Sequence, residues 1–312
     1  MKWLLLLVGM LGALAASPVE DEALLFSFFR GNGEDGLYLA WSEDGLTWKV
    51  LNNNKPLLKP QVGESKLMRD PSITRGSDGT FHMVWTTAWQ GKTIGYASSK
   101  DLIHWSEQRA ISVMPDEPDL MNCWAPEVYY EQARGEFLVV WASTIRGRFP
   151  ETLGAGSNAN NHRLYALRTR DFRAIGPTRR GGPYYDPGFM VIDAAIFKTD
   201  GRYAMVVKNE TLTPPAKYLF LTFAESLDGP WTKPGQRISG EDWAEGPSPI
   251  RIGDWWYIYF DKYRKKTYGA VRSKDLKSWE DISDRITFPE GARHGTAFRA
   301  PRAVVDRLIP AL

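Results

Sequence analysis

The sequence predicts an all-β fold, a five-bladed β-propeller closed by pairing strands near the N-terminus with the last inner strand near the C-terminus. Two repeated motifs predict it. One is a turn box in which a Ser or Thr is followed two residues later by an Asp and then by a Trp or Phe. The other is the start of a short strand, which falls on an acid in three of five places. Five copies of each, with strands between them, indicate propeller blades.

The turn boxes count the blades. They lie at residues 42–48, 99–105, 169–172, 226–231 and 273–279. An Asp side chain can accept a hydrogen bond from the backbone two residues further on and so hold a turn, while the aromatic residue covers the edge of the blade. We therefore interpret these boxes as structural and assign them no chemistry.

The inner strands give the second count and the blade limits. They begin at Asp70, Ala125, Asp193, Glu245 and His294. Four blades follow in sequence over residues 70–105, 124–169, 193–231 and 245–279. The fifth needs both ends of the chain, because strands at 24–29 and 37–42 must pair with a strand at 294–299. Such closure removes exposed sheet edges. We predict no helix and no linker.

The first residues have the parts of a secretory signal. Lys2 precedes an apolar run over residues 3–14, and small residues follow. We therefore predict a signal peptide over 1–17, a single catalytic propeller domain over 18–312, and a secreted or periplasmic protein. Cys123 is the only cysteine, so no intrachain disulfide forms, which fits a bacterial exported protein.

The composition restricts the partners. The 39 Lys and Arg residues nearly balance the 37 Asp and Glu residues, which argues against a broad basic surface for nucleic acid. The chain contains 13 Trp, 13 Tyr and 14 Phe residues, a bias that suits both a β core and the aromatic faces of a carbohydrate-binding cleft. We expect a monomer that binds carbohydrate, and neither nucleic acid nor membrane.

Three acids carry the predicted chemistry. Asp70, Asp193 and Glu245 each begin an inner strand, and inner strands of a propeller start at the same rim of the central channel. We therefore assign them one structural position and expect them to converge on one pocket. Two carboxyl groups flanking a glycosidic bond can supply an acid and a base, and a third can tune the acid. The alternative is that Asp70 and Asp193 only hold turns.

These motifs in this order resemble family 43 of the glycoside hydrolases. The resemblance is carried by Arg69-Asp70-Pro71, Trp124-Ala-Pro126, Ile192-Asp193, Glu245-Gly-Pro247 and the late His294, across nearly the whole chain after the signal. It implies a five-bladed propeller with an inverting mechanism that acts on arabinose-, xylose- or galactofuranose-type residues.

The resemblance also implies roles. Asp70 matches the general base, Glu245 the general acid, and Asp193 the residue that raises the pKa of the acid and orients it. His294 matches a histidine that faces a calcium ion or a water in the channel, so a structural calcium there is an expectation, although no cofactor is required. The sequence departs from the family at Ala194, where many members have Pro.

Other residues are candidates for substrate binding. Three tryptophans could stack on sugar rings or simply pack: Trp89, Trp124 and Trp243. Three cations near the inner strand ends could bind sugar hydroxyls or form ion pairs: Arg69, Lys208 and Arg299. Glu127 is a further acid, about two residues deeper, for which we favour a structural or substrate-binding role.

The leading hypothesis is an exo-acting inverting hydrolase that removes terminal arabinofuranosyl, xylosyl or related residues from polysaccharides or oligosaccharides. One alternative is a noncatalytic carbohydrate-binding propeller, against which the complete set of acids argues. Another is a sialidase-like hydrolase, which would need an arginine cluster and a Tyr–Glu nucleophile pair.

Overall fold

A computed structural model describes residues 21–173, 176–177 and 182–309, and the predicted signal peptide lies outside these residues. The described residues form nineteen strands in five sheets, four of them four-stranded and one three-stranded. The predicted all-β propeller with five blades is confirmed.

The closing blade joins the two ends of the chain, as predicted. Its strand order is β19-β1-β2-β3, with every neighbouring pair antiparallel. The strands are β1 (Glu22–Phe28), β2 (Tyr38–Ser42), β3 (Lys49–Val50) and, from the other end of the chain, β19 (Ala297–Pro301). In this register Leu24 pairs with Arg299 on one side and with Ser42 on the other. The innermost strand of this blade is therefore the last strand of the chain.

The other four blades are antiparallel meanders that follow the chain. Blade 1 contains β4 (Arg69–Arg75), β5 (Phe81–Thr86), β6 (Thr93–Ser99) and β7 (Arg109–Ser112). Blade 2 contains β8 (Trp124–Glu131), β9 (Glu136–Ser143), β10 (Arg163–Thr169) and β11 (Gly176–Pro177). Blade 3 contains β12 (Val191–Lys198), β13 (Tyr203–Asn209) and β14 (Leu219–Ala224). Blade 4 contains β15 (Glu245–Ile252), β16 (Trp255–Lys262), β17 (Thr267–Ser273) and β18 (Glu280–Asp281).

The turn boxes act structurally. Oδ1 of Asp44 accepts the backbone N–H groups of Leu46 and Thr47 at 2.8 and 3.0 Å. Asp101 and Asp275 each accept two backbone N–H groups in the same way. These three boxes therefore tie the turns between neighbouring strands of their blades, whereas the box at 226–231 follows β14, the last described strand of blade 3.

The helical segments are short. They are a 3-10 turn at Asn52–Asn54, a second at Pro150–Ala155 and an α-helix, α1, at Arg302–Asp306. The expectation of no helix is wrong for α1, whose Val304 and Val305 are buried beside β1 and β19. No helix within the described ranges is long and apolar enough to cross a membrane.

The apolar core lies between adjacent sheets. One cluster joins Leu25 of the closing blade to Met83 and Trp85 of blade 1, and all three are fully buried. Since each sheet packs on two neighbours, the ring of blades is held by large apolar contacts, and the polar strand starts are left at the channel mouth.

A bulge re-aims the start of each innermost strand of blades 1 to 4. The register shifts there, and the bulged residue has a positive φ: Asp70 (52°), Ala125 (45°), Asp193 (52°) and Gly246 (59°). Non-glycine residues rarely adopt this conformation, and bulges commonly redirect side chains near functional sites. Glu245 lies one residue before its bulge, so the prediction that the three acids share one structural position is wrong for Glu245.

Candidate active site

All five blades contribute to one cavity of about 470 Å³ at the channel mouth. Asp70, Asp193 and Glu245 line it together, although they lie on three different blades. The predicted convergence of the three carboxyl groups is therefore present. The size of the cavity falls within the range of small-molecule sites.

Asp70 is held as a carboxylate. Its Oδ1 lies 3.3 Å from Nδ1 of His294, and its Oδ2 accepts a hydrogen bond from Thr86 Oγ1 at 2.7 Å. Burial alone would raise the pKa of Asp70, but the charge and hydrogen bond of His294, the charge of Arg69 and the hydrogen bond from Thr86 together outweigh it and hold the pKa at about 2. Asp70 is therefore ionised across the physiological pH range.

The surroundings of Asp193 raise its pKa, in contrast to those of Asp70. It is buried, its Oδ2 accepts the backbone N–H of Gly246 at 3.0 Å, and the same oxygen lies 4.0 Å from Nδ1 of His294. Burial, together with the charges of Glu245 and Asp70, raises the pKa of Asp193 to about 6 despite the nearby cations. Two aspartates in one cavity thus have pKa values on opposite sides of the usual range.

His294 lies between the two aspartates. Burial would lower its pKa, but the charges of Asp193 and Asp70 outweigh burial and raise the pKa to about 9. A Cβ on Gly246 would lie 2.4 Å from Cγ of His294, so only glycine leaves room for the imidazole. The Glu245-Gly246 pair in the sequence therefore combines an acid with the space that the histidine needs.

Glu245 is clamped by two cations. Its Oε2 accepts from Lys208 Nζ at 3.1 Å, and its Oε1 accepts from Arg293 Nη2 at 3.0 Å. Lys208 also lies 2.8 Å from Glu210, and Arg293 donates through Nε to Asp261 at 2.6 Å. The carboxyl group of Glu245 is thus fixed in orientation. Of the two roles left open for Lys208, sugar binding or ion pairing, the structure shows ion pairs with Glu245 and Glu210.

The site does not fit a directly bound calcium ion. His294 faces two carboxylates as an imidazolium, which has no lone pair for a metal. Within the described residues, no group of three or more His, Cys, Asp or Glu side chains is arranged to hold a metal ion. A calcium ion that faces His294 through water stays a prediction.

An aromatic wall lines the side of the cavity formed by blades 1 and 2. Trp89 and Trp124 pack edge to face with ring centroids 5.5 Å apart, and Nε1 of Trp124 donates to the carbonyl of Trp89 at 2.8 Å. Trp124 also packs on His162, at 4.4 Å. Trp89 is 49% exposed, so it offers apolar ring surface at the rim.

Two predicted binding residues lie elsewhere. Trp243 does not line the cavity; it packs behind Tyr263, a lining residue, at 6.1 Å, and Arg264 covers it at 4.6 Å. Arg299 is exposed near the opposite mouth of the channel and donates to the carbonyl of Arg251. Strand β19 begins at the cavity and runs away from it, which carries Arg299 to the other face.

Several lining residues were not predicted. They are Thr86, His162, Glu210, Tyr263 and Arg293, with Asn122 and a loop at residues 156–160. Most of them lie on second strands or on loops, away from the strand starts on which the prediction relied. The loop lies within the Gly- and Asn-rich segment at 146–161, whose composition predicts a surface loop over one face that shapes the choice of sugar, and the structure places it at the cavity.

Glu127 lies deeper than the cavity lining, as predicted. Its Oε2 accepts from Thr296 Oγ1 at 3.2 Å, and burial raises its pKa to about 7. Cys123 is buried as well, and burial raises its pKa to about 12, so it is no nucleophile.

A known family matches this arrangement. A family model described as "Probable glycosyl hydrolase domain" and related to glycoside hydrolase family 43 matches residues 20–304. The chain belongs to this family. It is thus a glycoside hydrolase of the family 43 type, and the resemblance stated from the motifs is confirmed. No curated protein matches the chain in sequence at a significant level.

Solved structures with the same fold include several glycosidases. An α-L-arabinofuranosidase from Lactobacillus brevis is 17% identical, with a TM-score of 0.53, over 69% of this chain and 72% of that one. An endo-arabinase from Bacteroides thetaiotaomicron is 16% identical, with a TM-score of 0.55, over 75% and 86%. A β-xylosidase/α-arabinofuranosidase from a compost metagenome is 12% identical, with a TM-score of 0.52, over 71% and 81%. At these identities the likeness shows the fold alone.

Proposed function

We propose that this glycoside hydrolase is exo-acting and inverting, and that it releases terminal arabinofuranosyl, xylosyl or related residues from oligosaccharides or polysaccharides. The observation that carries the proposal is the convergence of Asp70, Asp193 and Glu245 in one cavity with opposite electrostatic surroundings. The proposal includes a secreted or periplasmic monomer that requires no cofactor.

Asp70 is assigned the general base. A base must be ionised, and Asp70 is, because the His294 charge and two hydrogen bonds stabilise its carboxylate. It accepts a proton from a water molecule whose oxygen attacks the anomeric carbon. The bond to the leaving-group oxygen breaks on the opposite side of the sugar ring, which inverts the anomeric configuration.

Glu245 is assigned the general acid. Protonated Glu245 gives its proton to the leaving-group oxygen, and Lys208 and Arg293 then stabilise the carboxylate that forms. Asp193 accepts the backbone N–H of Gly246, the residue after Glu245, and so helps to hold the acid in position. The proton taken by Asp70 returns to Glu245 through solvent, which completes the cycle.

Exo action is supported by the shape of the site. A cavity of about 470 Å³ suits the end of a sugar chain better than its middle, and residues 156–160 form a wall on one side. The half-exposed Trp89 at the rim offers a stacking surface for the next sugar ring.

The test of this assignment is the anomeric configuration of the product. Proton NMR of the first minutes of hydrolysis should reveal the anomer opposite to that of the substrate. A panel of nitrophenyl arabinofuranoside, xyloside, galactofuranoside and sialoside identifies the sugar. Initial release of the retained anomer would contradict inversion, and absence of hydrolysis across natural oligosaccharides would favour the noncatalytic alternative.

The sialidase alternative has little support. Of the two arginines considered for it, Arg299 lies outside the cavity and Arg69 lines it, and the neighbouring Arg293 is already paired with Asp261 and Glu245, so no arginine cluster is left for a sialic acid carboxylate. The cavity tyrosine, Tyr263, has a pKa raised to about 12, chiefly by burial, which is unsuited to a nucleophile.

His294→Gln should shift the pH profile. The substitution removes the positive charge that lowers the pKa of Asp70 and Asp193, so both pKa values should rise. We expect the acidic limb of the kcat/KM profile to move up by about 1 to 3 pH units. His82→Gln, outside the cavity, is the matched control. An unchanged acidic limb in His294→Gln would refute the role given to His294.

A further inference from the structure

The cationic side chains in the cavity differ in whether a carboxylate lies next to them. Lys208, Arg293 and His294 each lie within 4.0 Å of a carboxylate oxygen. Arg69 also lines the cavity and is only 7% exposed; its charge lowers the pKa of the neighbouring Asp70, but it forms no such ion pair within 4.0 Å of a described acid. A buried guanidinium without a close counter-ion is costly, because little water remains to solvate it.

The Arg69 side chain is held rigidly. Its guanidinium carbon lies 4.7 Å from the ring centroid of Phe29 and 4.2 Å from that of Trp89. Asn32 Oδ1 accepts from Nη1 of Arg69 at 3.0 Å and from Nε1 of Trp89 at 2.9 Å. These contacts come from the closing blade and from blade 1, so the guanidinium is positioned before any ligand binds.

One edge of this guanidinium is open. All its hydrogen bonds to described residues leave from Nη1, to the carbonyl and side-chain oxygens of Asn32. Nε and Nη2 donate to no described residue, and neither is among the fully buried polar atoms that lack a partner. The N–H groups of Nε and Nη2 run parallel, which is the geometry that pairs with the two oxygens of one carboxylate.

We propose that Arg69 forms a subsite for a carboxylate-bearing sugar, so that the substrate of this glycosidase contains a uronic acid residue next to the bond that is cleaved. The inference rests on the proposed glycosidase function and specifies its substrate class. A hydroxyl pair could accept the same hydrogen bonds but would bring no negative charge to the guanidinium, whereas a carboxylate supplies both the acceptors and the charge. The exposed part of the Trp89 ring lies beside the guanidinium and supports the sugar ring.

The test compares acidic and neutral ligands of the same shape. Titration calorimetry on the full chain measures the Kd of methyl glucuronoside and methyl galacturonoside, each against its neutral hexoside. We expect the wild type to bind at least one acidic ligand about 10- to 100-fold more tightly than its neutral partner. Arg69→Gln, which keeps a polar amide but loses the charge and the parallel N–H groups, should abolish that preference.

Two further variants make the result interpretable. Arg69→Lys keeps the charge but loses the parallel N–H groups, so it should reduce the preference for the acidic ligand. The same variant tests the inference if Arg69→Gln does not fold. Arg109→Gln is the matched control, since Arg109 lies on the same blade, also packs over an aromatic ring, and is outside the cavity. Arg109→Gln should keep the full preference.

The outcomes separate this inference from the proposed function. Equal binding of acidic and neutral ligands by the wild type, or a full preference retained in Arg69→Gln or Arg69→Lys, would overturn the uronate subsite. Hydrolysis of neutral glycosides would then still support the glycosidase. An acid preference that depends on Arg69, in a protein that hydrolyses no glycoside, would uphold the subsite and overturn the glycosidase.

Discussion

Replacing Asp70 by Asn should lower kcat by about 10²- to 10⁴-fold on every glycoside that the protein hydrolyses. The amide has a similar shape and can still accept from Thr86 Oγ1, but it cannot take a proton from water. The loss should not depend on the leaving group, because water activation is required whatever sugar or aryl group departs. Steady-state rates on an aryl glycoside and on a natural oligosaccharide measure it.

The control for Asp70→Asn is Asp101→Asn. Asp101 lies in a turn box of the same blade and is outside the cavity, so its loss removes a carboxylate without touching the reaction. Thermal unfolding of both variants separates a chemical effect from a folding effect. Wild-type turnover in correctly folded Asp70→Asn would disprove its assignment as the base.

Replacing Glu245 by Gln should have an effect that depends on the leaving group. With natural oligosaccharides, whose leaving alcohols need protonation, kcat should fall by about 10²- to 10⁴-fold. With nitrophenyl glycosides the fall should be much smaller, since the phenolate departs without a proton. The ratio of the two losses is the measurement.

The fold should tolerate this change. Lys208 keeps Glu210 as a partner, and Arg293 keeps Asp261, so neither cation is left without an acid when Glu245 becomes neutral. An equal loss on both substrate types would point to binding or positioning instead of acid catalysis. Full activity on oligosaccharides would remove Glu245 from the mechanism altogether.

The architecture was predictable because each blade carries a short sequence motif of its own. Each turn box needs only a Ser or Thr, an Asp and an aromatic residue within a few positions, and in three boxes the Asp accepts two backbone N–H groups, so five boxes count five blades. The first box precedes the first inner strand, and no box follows the last inner strand. One blade therefore needs strands from both ends of the chain, and β19 pairs with β1 accordingly. The short helix α1 was missed, because its five residues show no clear period.

The site was predictable only where function lies at the start of an inner strand. Asp70, Asp193 and Glu245 were found in this way, and so was His294. Arg299 was misplaced because a strand of five residues carries its end to the other side of the propeller. Trp243 precedes β15 as expected, but Tyr263 comes between it and the cavity.

The sequence by itself determined the number of blades, the closure of the ring and the identity of the three acids. These depend on patterns within a few residues and on the rule that the inner strands of a propeller start at the same rim of the channel. The tertiary structure alone decided the pKa values and ion pairs of the side chains in the site. Lys208 and Arg293 lie 37 and 48 residues from Glu245, and Thr86 lies 16 residues from Asp70. The pKa values depend on distance and burial, which no local pattern encodes. For the same reason only the folded chain reveals that Arg69, adjacent to the proposed base, has a rigid guanidinium with one open edge.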